Sequence, residues 1–390
     1  MNPEEKLSEK VKAMKPSGIR KFFDVVNTMP GAISLGVGEP DFDTPLHIRE
    51  VGINSLIEGK TFYTSNSGLL ELRQAIAEKF EKDTSLSYDP KTEIEITVGG
   101  SEAIDDAFRA LVNPGDEVIC PEPCYVSYTA CISLAGGVPV TVPLKQENNF
   151  VLTPEMLEKA CTEKSKVLIL SYPNNPTGAV MRKADLEKLV PVIEKHDLVV
   201  ISDEIYSALT YGDEKHTCLA ALPGMRDRTI TISGFSKAYA MTGWRLGYAI
   251  GNAAFIKQMT KIHQFCIMCA PTMSQYAAIE AVKNGDADID MMRQSYDERR
   301  KYLYKTLNDM GLKCFEPMGA FYIFPDISGL GMTSDEFCNR LLEEEKLAVV
   351  PGTAFGDCGE GNVRISYAYS MDELKVAMGR LESFVKRHSK

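Results

Sequence analysis

The chain has 390 residues, 44% of them hydrophobic and 25% charged, with a formal net charge of -11. It is longer than a single domain of roughly 100–200 residues, so two or three domains are expected, with the composition of a soluble globular protein. The acidic balance argues against a nucleic-acid partner, which would want a basic face, and no apolar run approaches the ~18 residues of a membrane span.

The N-terminal MNPEEKLSEKVKAMKPSG is polar and lacks the apolar stretch of a secretory signal, so a cytoplasmic protein is expected. Residues 1–45 read as an arm that packs with a small C-terminal unit. From about residue 95, short β-branched runs alternate with amphipathic helices, the α/β pattern. EIEITVG (93–99) reads as a strand that runs into a helix over SEAIDDAFRAL. GDEVICP carries the next strand and SKVLILSYP (165–173) another. The helix ADLEKLVPVIEKHD leads into LVVISDE (198–204), and TITISGF and WRLGYAIG supply two more strands. After about residue 285 the style changes. A long charged helix, MMRQSYDERRKYLYKTLNDMG, precedes GAFYIFPDI, a helix, AVVPG, VRISYA and a terminal helix. The expected division is therefore a large domain over 46–285 and a smaller α+β domain over 286–390. The ten cysteines do not suggest a disulfide framework. The Cys266-x-x-Cys269 pair has no partner pair at metal-ligand spacing, so no metal site is expected.

In an open α/β sheet, ligands bind beyond the C-terminal strand ends. Reading those ends gives Gly99-Gly100-Ser101-Glu102 at a helix start, where backbone N–H groups suit a phosphate. Next come Tyr125 as an aromatic platform and the turn Pro-Asn-Asn-Pro-Thr-Gly, residues 173–178. Asp203 closes an almost wholly apolar strand, with Tyr206 three residues on. Singly, such a carboxylate reads as a helix cap; buried, it would need a cation. Lys237 and Arg245 then stand eight positions apart at the end of one strand and the start of another, with no acid between them. Two such cations imply an external anion, or a lysine held neutral as a nucleophile. An amine for an aldehyde, an arginine and helix start for a phosphate, and an aspartate for a pyridinium nitrogen describe a pyridoxal phosphate pocket.

The segment SGFSKAYAMTGWRLGYAIG (233–251) resembles the lysine signature of class I/II aminotransferases, the aspartate-aminotransferase-like fold type I enzymes. SLGVGEPDFDTP (34–45), YTSNSGLLELR (63–73), SYPNNPTGAV, ISDEIYS, GAFYIFP (319–325) and NVRISYA (362–368) extend the resemblance over nearly the whole chain. It implies an α/β large domain with a mostly parallel seven-stranded sheet between helices. Lys237 would form the aldimine with pyridoxal 5'-phosphate and Asp203 would pair with the ring nitrogen. Tyr206 and Asn175 would bond the ring oxygen, and Tyr125 would stack on the ring. The phosphate would lie on Gly100, Ser101, Glu102, Arg245 and Ser236, with Tyr63 reaching over from the second subunit of a homodimer. Arg364, Asn175 and Gly38 would take the substrate carboxylate. Two departures stand out. Gly234 occupies a position where some relatives carry serine, and Ser101 one where certain acid-specific relatives carry lysine.

The resemblance implies transfer of the amino group of an L-amino acid, aromatic or aspartate, to a 2-oxo acid such as 2-oxoglutarate. The acylated diaminopimelate aminotransferases of lysine synthesis are an alternative. A C–S β-lyase on the same scaffold would use the same Lys237 and Asp203. A non-catalytic sensor domain fits less well, because the site is complete and no basic DNA-binding extension is present.

Overall fold

In the computed structural model, which describes residues 1–14, 29–213 and 215–389, the Val- and Ile-rich runs become one central sheet. In chain order the strands are β1 (Ile33–Ser34), β2 (Ile94–Thr97), β3 (Glu117–Glu122), β4 (Val138–Pro143), β5 (Ser165–Ser171) and β6 (Val199–Asp203). They continue with β7 (Thr229–Gly234), β8 (Gly247–Ile250), β9 (Tyr322–Ile323), β10 (Leu347–Ala348), β11 (Val350–Pro351) and β12 (Val363–Ser366). The seven-stranded sheet has the order β2-β8-β7-β6-β5-β3-β4. Only β8 runs against its neighbours β2 and β7; the other pairs are parallel. Strands β5, β6 and β7 are buried along most of their length, β5 and β6 with mainly apolar residues and β7 with isoleucines alternating with hydroxyl side chains. That is what parallel strands covered by helices on both faces require.

Since β3, β5, β6 and β7 are parallel, their C-terminal ends open on the same side. The segments that leave there carry Tyr125, Asn175, Asp203 and Lys237. Two details differ from the reading of the sequence. Lys237 lies not at a strand end but in the one-turn helix Phe235–Ala238 that follows β7. Arg245 precedes β8 in a turn where its own backbone is left-handed, φ 52°. The local run of small residues hid this, because it reads equally well as strand. Strand β4 went unread for another reason: it is a largely exposed sheet edge bounded by prolines and shows no clean alternation.

The C-terminal part builds a three-stranded antiparallel sheet, β11-β12-β9. Strand β1 pairs in parallel with β10, and Ser366 N–H donates to the Leu35 carbonyl at 2.8 Å. These bonds set Gly36 and Gly38 beside β12, which carries Arg364. The expected arm includes residues 15–28, which lie outside the described residues. Tyr296, Leu303 and Leu307 of the helix Asp286–Asp309 pack with Phe321, Phe337 and Phe384. Tyr206 and Leu209, from the segment after β6, join the same apolar cluster. The terminal helix Met371–His388 starts at a capping box between Ser370 and Glu373.

Candidate active site

Three buried or half-buried charges converge where the two parts of the chain meet, and none has an ion-pair partner among the described residues. Asp203 ends β6 with 5% exposure. Its Oδ2 accepts from the Tyr128 hydroxyl at 2.5 Å and its Oδ1 from the Ile205 N–H at 3.1 Å. The second bond is the local cap that the sequence allowed; the first fixes the carboxylate in the pocket. Burial pushes its carboxyl up to about 6, against the pull of those two donors.

The Lys237 amine donates to the Gly38 carbonyl. Burial pushes it down to about 8, with Glu39 opposing and the Arg364 and Arg245 charges assisting. Arg364, 2% exposed, donates through Nη1 to Asn175 Oδ1 at 2.8 Å and through Nη2 to the Gly36 carbonyl at 2.5 Å. Its Nε is buried without a partner. The guanidinium lies 4.5 Å from the Tyr322 ring centroid and 4.7 Å from that of Phe355. Tyr322 in turn bonds the Tyr206 hydroxyl at 2.8 Å. Gly38 is required where it is, because a Cβ there would stand 2.2 Å from the Tyr322 hydroxyl.

The glycine turn before the helix Gly100–Leu111 forms the other wall. Gly99 has φ 81°, and a Cβ on it would meet Arg245 Nη2 at 2.4 Å. Gly247 allows the strand to pass, since its Cβ would stand 2.5 Å from Gly100 N. Arg245 donates to the carbonyls of Thr242, at 3.1 Å, and Val98, at 3.5 Å. Ser101 Oγ lies 3.4 Å from the Tyr125 hydroxyl, and Tyr125 meets Tyr128 edge-on at 5.6 Å. Ser236 is buried in the Lys237 turn. Glu102 turns its carboxylate inward, where it accepts from Val98 N–H, so at this helix start it can offer an anion only its backbone. A cleft of about 630 Å³ opens beside Glu39, Trp244 and Arg245. Tyr63 is not drawn into this network; its side chain is 80% exposed.

The sequence pattern of aminotransferase class I and II matches residues 30–381. The chain belongs to the class I and II aminotransferases. It is 47% identical to an aspartate aminotransferase of Pyrococcus abyssi, over 97% of this chain and 98% of the relative. The solved aromatic aminotransferase of Pyrococcus horikoshii superposes with a TM-score of 0.90 at 47% identity, covering 94% and 99% of the two chains. The aspartate aminotransferase of Thermus thermophilus with maleate gives 0.92 at 40% identity, covering 97% and 99%. The enzyme is thus a pyridoxal phosphate-dependent transaminase acting on amino acids and 2-oxo acids.

The aminotransferase pocket fits that cofactor on its own features. It offers an unpaired buried carboxylate for a ring nitrogen, a depressed amine for an aldehyde, and a glycine turn beside Arg245 for a phosphate. Reading the sequence missed Tyr128, Tyr322 and Glu39. The i, i+3 spacing of Tyr125 and Tyr128 was a usable signal for the first. Tyr322 was hidden in GAFYIFP, which reads as a core strand, and Glu39 in a loop whose partner Lys237 lies far along the chain.

Tyr128→Phe removes a hydrogen bond to a charged group, roughly 1.5–3 kcal/mol, or about one to two pH units of the Asp203 carboxyl. In the parent enzyme, cofactor affinity should fall as the pH drops through about 6 and Asp203 takes up a proton. In the variant that fall should begin about one to two units higher, as read by titrating apoenzyme with pyridoxal phosphate across pH. An unchanged acid limb would show that Tyr128 does not set this carboxylate.

Proposed function

We propose that the enzyme takes the amino group of an aromatic L-amino acid or aspartate and passes it to 2-oxoglutarate in two half-reactions at one site. The observation that carries the reading is the convergence of unpaired Asp203, Lys237 and Arg364 at one place. Bound pyridoxal phosphate supplies an aldehyde that condenses with amines and a ring that withdraws electrons.

Lys237 is the amine that holds the cofactor and then moves the substrate's Cα proton. Its pKa near 8 leaves a larger neutral, attacking fraction near neutral pH than an ordinary lysine has, and that fraction grows as the pH rises. Asp203 keeps a positive charge on the ring nitrogen favourable. Tyr206 and the amide nitrogen of Asn175 would face the ring oxygen, and Tyr125 would offer its ring face for stacking. Gly100, Ser101, the Glu102 backbone, Ser236 and Arg245 would hold the phosphate. The free Nε of Arg364 and its fork suit an α-carboxylate. Ser101, standing where acid-specific relatives place lysine, leaves room for donors that lack a second carboxylate.

We further propose a cytoplasmic homodimer, with an N-terminal arm (1–45), a large domain (46–285) and a small domain (286–390). Phe62, Tyr63 and Phe265 are 80–81% exposed, and the Asn66 side chain ties their two segments together through the Met268 carbonyl at 2.8 Å. A second copy over this apolar face would bring Tyr63 to its neighbour's phosphate.

Purified enzyme should be yellow and should convert phenylalanine or aspartate with 2-oxoglutarate to phenylpyruvate or oxaloacetate. Lys237→Ala should lower turnover by roughly 10²–10⁴-fold or more, and Arg364→Ala should raise KM for every α-amino acid by roughly 30-fold or more. An unchanged KM would remove Arg364 from the carboxylate site. Release of pyruvate from cystathionine without any 2-oxo acid would replace the transaminase reading with a lyase. Phe265→Asp should shift the sedimentation of the enzyme from dimer to monomer; a dimer that survives would place the interface elsewhere.

A further inference from the structure

Outside the cofactor pocket, three side chains from three elements meet in the interior. Glu95 comes from β2, Asp106 from the helix Gly100–Leu111 and His263 from the helix Ala253–Cys266. Their relative exposures are 0%, 1% and 0%. One donor atom of each lies within 4.8 Å of the other two. Yet both Glu95 oxygens, Asp106 Oδ2 and both His263 nitrogens have no hydrogen-bond partner among the described residues. Groups of this kind are very rarely left so in an interior. We propose that these three residues bind one divalent transition-metal ion, of the class of Zn²⁺, that pins β2 to the two helices.

The donor atoms cluster within the span that the ligands of one ion occupy. Around an ion at about 2.0–2.2 Å from each donor, ligands stand some 3–4 Å apart. The 4.8 Å within which the three donor atoms lie accommodates that arrangement. Two carboxylates balance the two charges of the ion, and an imidazole beside carboxylates suits Zn²⁺, with Mn²⁺ and Fe²⁺ as the nearest competitors.

The surroundings point the same way. Glu102 Oε1 lies 3.1 Å from His263 Nδ1, off the line of a hydrogen bond as the ring stands. A carboxylate behind a histidine is the common second partner at such sites; it orients the ring and leaves Nε2 to ligate. Thr260 lies beside Glu95 and favours its charged form, and Arg109 does the same for Asp106. The competing occupant is a pair of protons, since burial, with the neighbouring carboxylates assisting, pushes Glu95 up to about 9 and Asp106 up to about 8. The site would stiffen the helix whose first turn carries Gly100 and Ser101. It is a structural ion, and it runs against the expectation of no metal, which rested on cysteine and histidine spacing alone.

The test uses untagged full-length holoenzyme produced in zinc-supplemented medium and dialysed against a chelator. Elemental analysis should find one equivalent of zinc per chain, and Tm should stand several degrees above that of protein from zinc-free medium. Asp106→Asn, which preserves volume, should lose both the zinc and the Tm difference, as should Glu95→Gln; His263→Gln is a third variant should either fail to fold. Replacement by Co²⁺ should give visible absorption that Asp106→Asn lacks. Zinc-free wild type with the same Tm from both media would overturn the proposal, leaving protons as the occupants. Zinc retained equally by Asp106→Asn would overturn it too, placing the ion at other residues.

Discussion

A buried carboxylate and two cations held within one pocket but not paired with one another are the constraint around which this enzyme is built. Left to itself, such a chain would close Asp203 onto Lys237 or Arg364 and recover the cost of burying them. The structure prevents that. Tyr128 and the Ile205 amide hold Asp203, the Gly38 carbonyl holds the Lys237 amine, and Asn175 with the Gly36 carbonyl holds Arg364. Each charge is kept in place by neutral partners that orient it without cancelling it. The depressed amine and the raised carboxyl follow from that arrangement, and both are corrected when a ligand of complementary charge arrives.

The scaffold explains how neutral partners from distant segments reach the same point. Parallel strands deliver Tyr125, Asn175, Asp203 and Lys237 to one side of the large sheet. The β1–β10 pairing brings the 33–38 segment against β12, so that main-chain carbonyls of Gly36 and Gly38 serve two different cations. Glycine is needed at Gly38, Gly99 and Gly247 because a tyrosine hydroxyl, the Arg245 guanidinium and backbone, respectively, lie within a Cβ's reach. Arg364 sits on the small C-terminal sheet and the Lys237 amine follows the large one. The distance between them therefore depends on how the shared cluster around Tyr206 and Phe321 packs.

Much of this could be read from residues in order, and what could not has a common cause. The buried strands β5 to β7 announce themselves, and so does the polar Asp203 that closes β6. Arg245 was assigned to a strand because Gly and Ala neighbours carry no periodicity; its left-handed turn is a property of the packing against Gly99. Tyr128, Tyr322 and Glu39 bond partners 75, 116 and 203 positions away, and no local pattern marks such pairs. The Glu95, Asp106 and His263 convergence is the extreme case, since a lone acid in a strand and a lone histidine in a helix each look ordinary. Only the three-dimensional structure shows that the three meet in the interior.

The central claim, that Asp203 waits for a positive ring nitrogen, is tested most directly by the carboxyl carbon of Asp203 itself. ¹³C NMR of carboxyl-labelled enzyme, with the signal assigned through Asp203→Asn, follows its titration with and without cofactor. The account predicts a midpoint near 6 in the apoenzyme and a carboxylate that stays ionised well below that pH in the holoenzyme. The same midpoint in both forms would contradict it.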